Sequence, residues 1–226
     1  MKGLVIAIDG PAAAGKSTAG KALAGRLGYR FIDTGALYRA VAWLADRRGD
    51  AEASPAAIGA LARAADIRLE GDPERPRVVV DGRDVAGEIR SERISQLSSR
   101  LSALPEERAA LLELQRRIGA AGGVVRDGRD IGTVVFPEAQ VKFFVSASPE
   151  ARARRRHAEL LARGLPSDEA RVLAELRERD TRDAGRDVAP LKAADDAVVI
   201  DTTDLTPEQV LNRMLAVVES LRSTES

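Results

Sequence analysis

Five short apolar runs punctuate the chain, at residues 4–8, 30–33, 124–127, 141–145 and 197–200, with intervals between them long enough to hold helices. Runs of four or five apolar-rich residues read as strands buried on both faces. Their alternation with helical stretches predicts an α/β fold, a parallel sheet with helices on both of its faces. Helix boundaries are legible as well. Residues 17–27 read as a helix stopped by Gly28, Ser148-Pro149-Glu150 opens another, Pro166-Ser167 precedes a third, and Thr206-Pro207-Glu208-Gln209 is a capping-box pattern before the last. Roughly 90 residues separate the second and third strands, too many for one crossover helix. Within that interval IRLE (67–70), the turn-rich GDPERP (71–76) and RVVVDG (77–82) predict a β-hairpin, with VAGEIR (85–90) extending it. The expectation is a single domain over 1–226 that carries a small inserted subdomain at 66–104.

The first strand runs straight into Gly10-x-x-x-x-Gly15-Lys16-Ser17, the pattern of a phosphate-binding P-loop. Its glycines let backbone N–H groups curl around an anion, Lys16 can reach the outer phosphates, and the Ser17 hydroxyl suits Mg²⁺. The helix that follows places its positive N-terminus under the phosphates. A nucleoside triphosphate is the expected ligand.

Two further strand ends carry charge. Asp33-Thr34-Gly35-Ala36-Leu37-Tyr38-Arg39 follows the second strand at the carboxyl edge of the sheet, where open α/β folds bind ligands. Thr34 is the expected N-cap there, and Arg39 either reaches an anion near the helix start or lies on a solvated face. The third strand ends in Arg126-Asp127-Gly128-Arg129-Asp130. Asp127 is suited to hold Mg²⁺ through water and Arg129 to hold a phosphate, although Asp-Gly is also good turn chemistry. Downstream, Arg152, Arg154, Arg155 and Arg156 occupy the segment 149–166, which could fold over a triphosphate as a lid, or form the solvated face of an amphipathic helix. In ERDTRDAGRD (178–187), i,i+4 spacing relates Arg179 to Asp183 and Arg182 to Arg186.

Composition narrows the classes. With 35 basic and 35 acidic side chains the formal charge is zero, so no global field draws in nucleic acid or an anionic membrane. Lys accounts for only five of the basic residues; the remaining thirty are Arg, an excess that GC-rich codon usage explains as a whole. There is no Cys and a single His157, which excludes disulfides, thiolate metal sites, thiol nucleophiles and His clusters. No run approaches the ~18 apolar residues of a membrane helix, and the N-terminus lacks a signal-peptide pattern, so a cytoplasmic monomer is expected.

Taken together, GPAAAGKST, DTGALYR, GEIR, the segment from Ser99 to Arg108, DGRDIGTVVFP and ERDTRDAGR…APL, in this order, closely resemble the bacterial cytidylate kinases. The resemblance runs from Gly3 to about Asp201. It implies a nucleoside monophosphate kinase fold with a five-stranded parallel core, an insertion that binds the acceptor, and a short lid. The implied reaction moves the γ-phosphoryl group of ATP, with Mg²⁺, to CMP or dCMP. By the same resemblance Gly10, Pro11, Ala12, Ala13, Ala14, Gly15, Lys16, Ser17 and Thr18 hold the ATP phosphates. Arg39, Arg129 and Arg186 hold the acceptor phosphate, while Ser99, Arg108 and Asp130 read the cytosine. Arg179 and Asp183 contact the ribose, and Thr34 and Tyr38 complete the CMP site. Lys16, Arg39 and Arg129 are the expected catalytic residues, and Ser17 and Asp127 the expected metal-facing ones. A kinase of a metabolite hydroxyl would need an acidic base and not three acceptor arginines. A GTPase-type switch would need an Asn-Lys-x-Asp tetrapeptide, which the sequence lacks.

Overall fold

The computed structural model describes residues 3–71, 77–119 and 122–224. Its main sheet has five parallel strands in the order β2-β6-β1-β7-β8, where β1 is Val5–Asp9, β2 Arg30–Asp33, β6 Val124–Asp127, β7 Val141–Ser146 and β8 Val198–Asp201. All five lie within one residue of the predicted runs. Side-chain alternation along β1 explains the two-sided packing. Ile6 and Ile8 enter a core with Leu23, Phe143, Met214 and Val218, whereas Ala7 enters the opposite one with Ile131, Val135 and Ala139. Helices α1 (Lys16–Leu27) and α8 (Pro207–Thr224) cover the first face. The capping box of α8 forms as expected: Gln209 N–H donates to Thr206 Oγ1 at 3.2 Å and Thr206 N–H donates to Gln209 Oε1 at 2.9 Å.

Between β2 and β6 the chain builds a second core. Helices α2 (Thr34–Arg48), α3 (Pro55–Ala64), α4 (Glu92–Leu101) and α5 (Pro105–Gly119) surround a three-stranded antiparallel sheet of β3 (Ile67–Glu70), β4 (Arg77–Val80) and β5 (Arg83–Asp84). Trp43, Ile58, Val80, Ile89, Leu97 and Leu111 meet in its interior. The hairpin is therefore present, but VAGEIR does not extend it as a strand. Arg83–Asp84 pairs with β4, Val85 adds one more bond from its N–H to the Val78 carbonyl at 2.8 Å, and Glu88–Arg90 then turns as a 3-10 helix that buries Ile89. Apart from Gly71, the turn sequence GDPERP lies outside the described residues.

The last two helices are α6 (Pro149–Ala162), capped by Ser148 as expected, and α7 (Glu169–Ala184), capped by Asp168. The expected cap of α2 is corrected. Asp33, not Thr34, is the N-cap: its Oδ1 accepts from Ala36 N–H at 3.1 Å, and Thr34 instead donates to the Asp127 carbonyl at 2.6 Å. A carboxylate at the strand end outcompetes the hydroxyl one residue later, which is already helical.

Candidate active site

The parallel register brings Asp33 and Asp127 side by side at the carboxyl edge, next to the β1 exit. There a cavity of about 1120 Å³ opens, bounded by the P-loop, the start of α2, α4, the β6 exit, α6 and α7.

The donor end is local. Gly10 has φ 144°, and a Cβ there would sit 1.9 Å from the Val145 carbonyl oxygen, so no other residue fits. Gly15 caps α1 in the left-handed conformation with no side-chain cap, leaving the first amides of the helix to the cavity. Residues from Ala12 to Thr18 line the cavity; Gly10 and Pro11 lie behind it. Lys16 is buried, and its ammonium donates to the Pro11 carbonyl at 2.6 Å. Burial, reinforced by Arg129, pushes its pKa well below the ordinary lysine value. Ser17 donates to Asp127 Oδ2, and Asp127 Oδ1 is buried with no partner. Burial, with Asp33 beside it, raises Asp127 to about 6. An orphaned buried carboxylate oxygen beside a hydroxyl fits a hard divalent cation, which would restore the ionised form. Among the described residues no group of three or more His, Cys, Asp or Glu is placed to hold a metal ion.

The arginine-rich end of the cavity is assembled from distant segments. Asp183, fully buried on α7, gathers three guanidiniums: Arg129 Nε at 2.9 Å, Arg186 Nη2 at 2.5 Å and Arg179 Nε at 3.8 Å. Burial pushes its carboxyl up, but the three arginines together hold it below the usual range. Arg186 also donates to Ser102 Oγ at 3.0 Å. Arg39 pairs with Asp33 at 2.7 Å. Four guanidiniums thus face two carboxylates, and the Nε atoms of Arg39, Arg179 and Arg186 are buried with no hydrogen-bond partner. Such a cluster has positive charge and donors to spare for an anion.

Beside it Arg108 pairs with Asp130, both buried, and its guanidinium lies 5.6 Å from the centre of the Tyr38 ring. Thr34, Tyr38, Arg39, Arg108, Arg129, Asp130, Arg179 and Arg186 all line the cavity. Ser99 and Asp183 do not. Ser99 is buried with its hydroxyl unpartnered, while Ser98 and Ser102 line the wall, and Asp183 lies behind the arginines it pairs with. The i,i+4 reading of α7 holds for Arg179 and Asp183, but Arg182 pairs back to Glu178 at 2.6 Å and not forward toward Arg186.

The four arginines of α6 differ. Arg155 and Arg156 line the cavity, tied to Thr202 and to Glu92 and Glu159. Arg152 is buried, braced by Asp180 and by the carbonyls of Ala12 and Ala147, and Arg154 is exposed outside the wall. His157 Nδ1 and Ser167 Oγ are 2.9 Å apart. Two partners lie outside the sequence expectations: Asp33 pairs with Arg39, and Ser102 accepts from Arg186. An Asp at a strand end before a helix signals the first; nothing in the spacing signals the second.

The family described as cytidylate kinase matches residues 6–220. The chain belongs to the cytidylate kinase family. A cytidylate kinase from Geobacter sp. (strain M21) is 54% identical over 212 residues, covering 94% of this chain and 91% of that one. Another, from Carboxydothermus hydrogenoformans (strain ATCC BAA-161 / DSM 6008 / Z-2901), is 46% identical over 213 residues, covering 94% and 96%. Among solved structures, a gluconokinase from Sinorhizobium meliloti 1021 has the same fold, with a TM-score of 0.51 at 17% identity over 99% of this chain and 95% of that one. The cytidylate kinase fold and the P-loop are thus both in place. No helix among the described residues is long and apolar enough to cross a membrane.

Proposed function

We propose how this member of the cytidylate kinase family divides its cavity between the two substrates as it transfers the γ-phosphoryl group of ATP to CMP or dCMP. The P-loop from Gly10 to Thr18 holds the triphosphate, and Lys16 exchanges its bond to the Pro11 carbonyl for phosphate oxygens. Ser17 and Asp127 face the Mg²⁺ that accompanies ATP, which when bound supplies charge neutralisation at the β- and γ-phosphates. Arg39, Arg129 and Arg186 hold the acceptor phosphate. Arg179 and Asp183 stand toward the ribose, Asp183 through the arginines it gathers.

The observation that supports this division is the arginine cluster on Asp183 and Asp33, with its unspent donors, in the same cavity as the P-loop. A metabolite hydroxyl would not need it. Arg108 and Asp130, with Tyr38 alongside, suit cytosine: its amine needs an acceptor, and its O2 and N3 need donors.

No general base is required, because the attacking oxygen belongs to a phosphate already ionised at neutral pH. The bond from the γ-phosphorus to the β-phosphate bridging oxygen breaks as the bond to the acceptor oxygen forms, and Lys16 and Arg129 stabilise the charge that moves. Arg155 and Arg156 are placed to complete the donor side and exclude water. A coupled assay of ADP release with CMP, dCMP, UMP and AMP tests the scheme. CMP and dCMP should be preferred, and a preference for AMP would overturn the assignment of Arg108 and Asp130.

A further inference from the structure

Asp9 is the last residue of β1 and stands immediately before the P-loop, yet its side chain points to the other half of the site. It is buried, and its two oxygens accept one hydrogen bond each, from Ile131 N–H and from Gly132 N–H, both at 2.8 Å. Those amides open the π-helical turn Ile131–Val135, which begins directly after Asp130 and receives no cap from the Asp130 side chain. The ladder between β1 and β6 ends at Ile8 and Asp127, with one more bond from Gly128 N–H to the Ile8 carbonyl at 3.0 Å. Beyond it Arg129 and Asp130 leave the sheet, and the Asp9 carboxylate supplies the next tie. Sheet packing alone would be served by an apolar side chain. Two consecutive amides need two acceptors, and a carboxylate provides them.

We infer that Asp9 is a positioning residue for base recognition: it fixes the Asp130 loop against the entrance of the P-loop, so that discrimination between cytosine and uracil depends on a side chain that touches no base. The inference rests on the reading of Asp130 as the acceptor of the cytosine amine. Burial raises the Asp9 pKa to about 6 against the pull of the two amides, with Asp130 raising it further and Lys16 lowering it, as expected for a carboxyl lying between the donor and acceptor centres.

Asp9→Asn keeps the shape but turns an NH₂ toward one of the two amides, releasing it. In the full-length enzyme kcat/KM for CMP should fall about tenfold and the CMP to UMP ratio at least about threefold, with KM for MgATP held within about twofold. A merely structural carboxylate would not move the base ratio. Gly132→Ala perturbs the same tie from the other side. Its Cβ would lie 3.1 and 3.2 Å from the Lys142 stem and 3.4 Å from Asp9 Oδ2, so the Lys142 stem or the contact between Asp9 and the loop must give by a few tenths of an ångström. It should show the same selective loss, reduced in size. Asp130→Ala is run alongside. If it leaves the CMP to UMP ratio unchanged, the reading of Asp130 fails. If it lowers that ratio while folded Asp9→Asn does not, the role of Asp9 is overturned. Should Asp9→Asn fail to fold, an unchanged ratio in Gly132→Ala overturns it instead.

Discussion

The two ends of the cavity are built in opposite ways. The P-loop end is one contiguous stretch, Gly10 to Thr18, whose shape follows from glycines at two positions. The acceptor end draws Arg39 from α2, Arg108 from α5, Arg129 and Asp130 from the β6 exit, and Arg179, Asp183 and Arg186 from α7 and its end. Ion pairs hold it together. A loop that binds through its backbone can lose one side chain and keep its shape, whereas a cluster of like charges gathered on one buried carboxylate cannot lose that carboxylate without loosening as a whole.

The largest effect that would test this contrast is at Lys16. Lys16→Ala should lower kcat by about 10²- to 10³-fold or more, because it removes charge where charge develops. Its melting temperature and its equilibrium binding of CMP should stay close to wild type; a large loss of CMP binding would show that the two ends are not separable. Asp183→Asn should do the reverse of this clean separation. With its anchor neutralised, the buried cluster of Arg129, Arg179 and Arg186 repels itself, so stability should fall by about 3–5 kcal/mol and KM should rise for every monophosphate. Thermal melts and acceptor KM values measure both, and an Asn variant with unchanged melting would contradict the role given to Asp183.

Arg39 sharpens the comparison on a smaller scale. It pairs with Asp33, which lies partly open to solvent, and not with the buried hub. Arg39→Ala should therefore cost about tenfold to a hundredfold in kcat/KM for CMP and UMP alike, without the loss of stability seen at Asp183. A changed CMP to UMP ratio with both rates still high would remove Arg39 from the phosphate site.

The smallest expected effect lies behind the acceptor wall, at Glu107. This carboxyl is fully buried, neither oxygen has a hydrogen-bond partner, and burial raises it from 4.5 to about 8 despite Arg108 and Arg186. Unfolded chains release its proton near the lower value while the fold retains it to the higher, so this group makes wild-type stability fall as pH rises between the two. Glu107→Gln removes that linkage and should gain on the order of 1–3 kcal/mol relative to wild type between about pH 5 and about pH 8. Parallel pH dependence of the two proteins in denaturant titrations would count against a buried neutral Glu107.

Much of this was legible before any coordinates. The five core strands could be placed to within a residue because short apolar-rich runs recur between helical stretches, although β2 and β8 at the sheet edges keep exposed residues. The P-loop was legible because its chemistry depends on residues adjacent in sequence. The insertion was read only in outline. Its hairpin is legible from two apolar-rich runs flanking a turn-rich stretch, but α3, α4 and α5 are not separated there, and VAGEIR reads as an extension of the hairpin although Ile89 is buried through a 3-10 turn.

The sequence by itself determined the fold class, the strand positions, the P-loop motif and the family, since each depends on local pattern or on the order of motifs along the chain. Tertiary structure alone decided which charges meet. Spacing relates Asp183 to Arg179 on the same helix, but nothing in it joins Asp183 to Arg129, Asp180 to Arg152, or Asp9 to the loop that follows Asp130. Electrostatic partnership acts through space across a few ångströms, and the chain brings those atoms together only after its strands have paired and its two cores have closed.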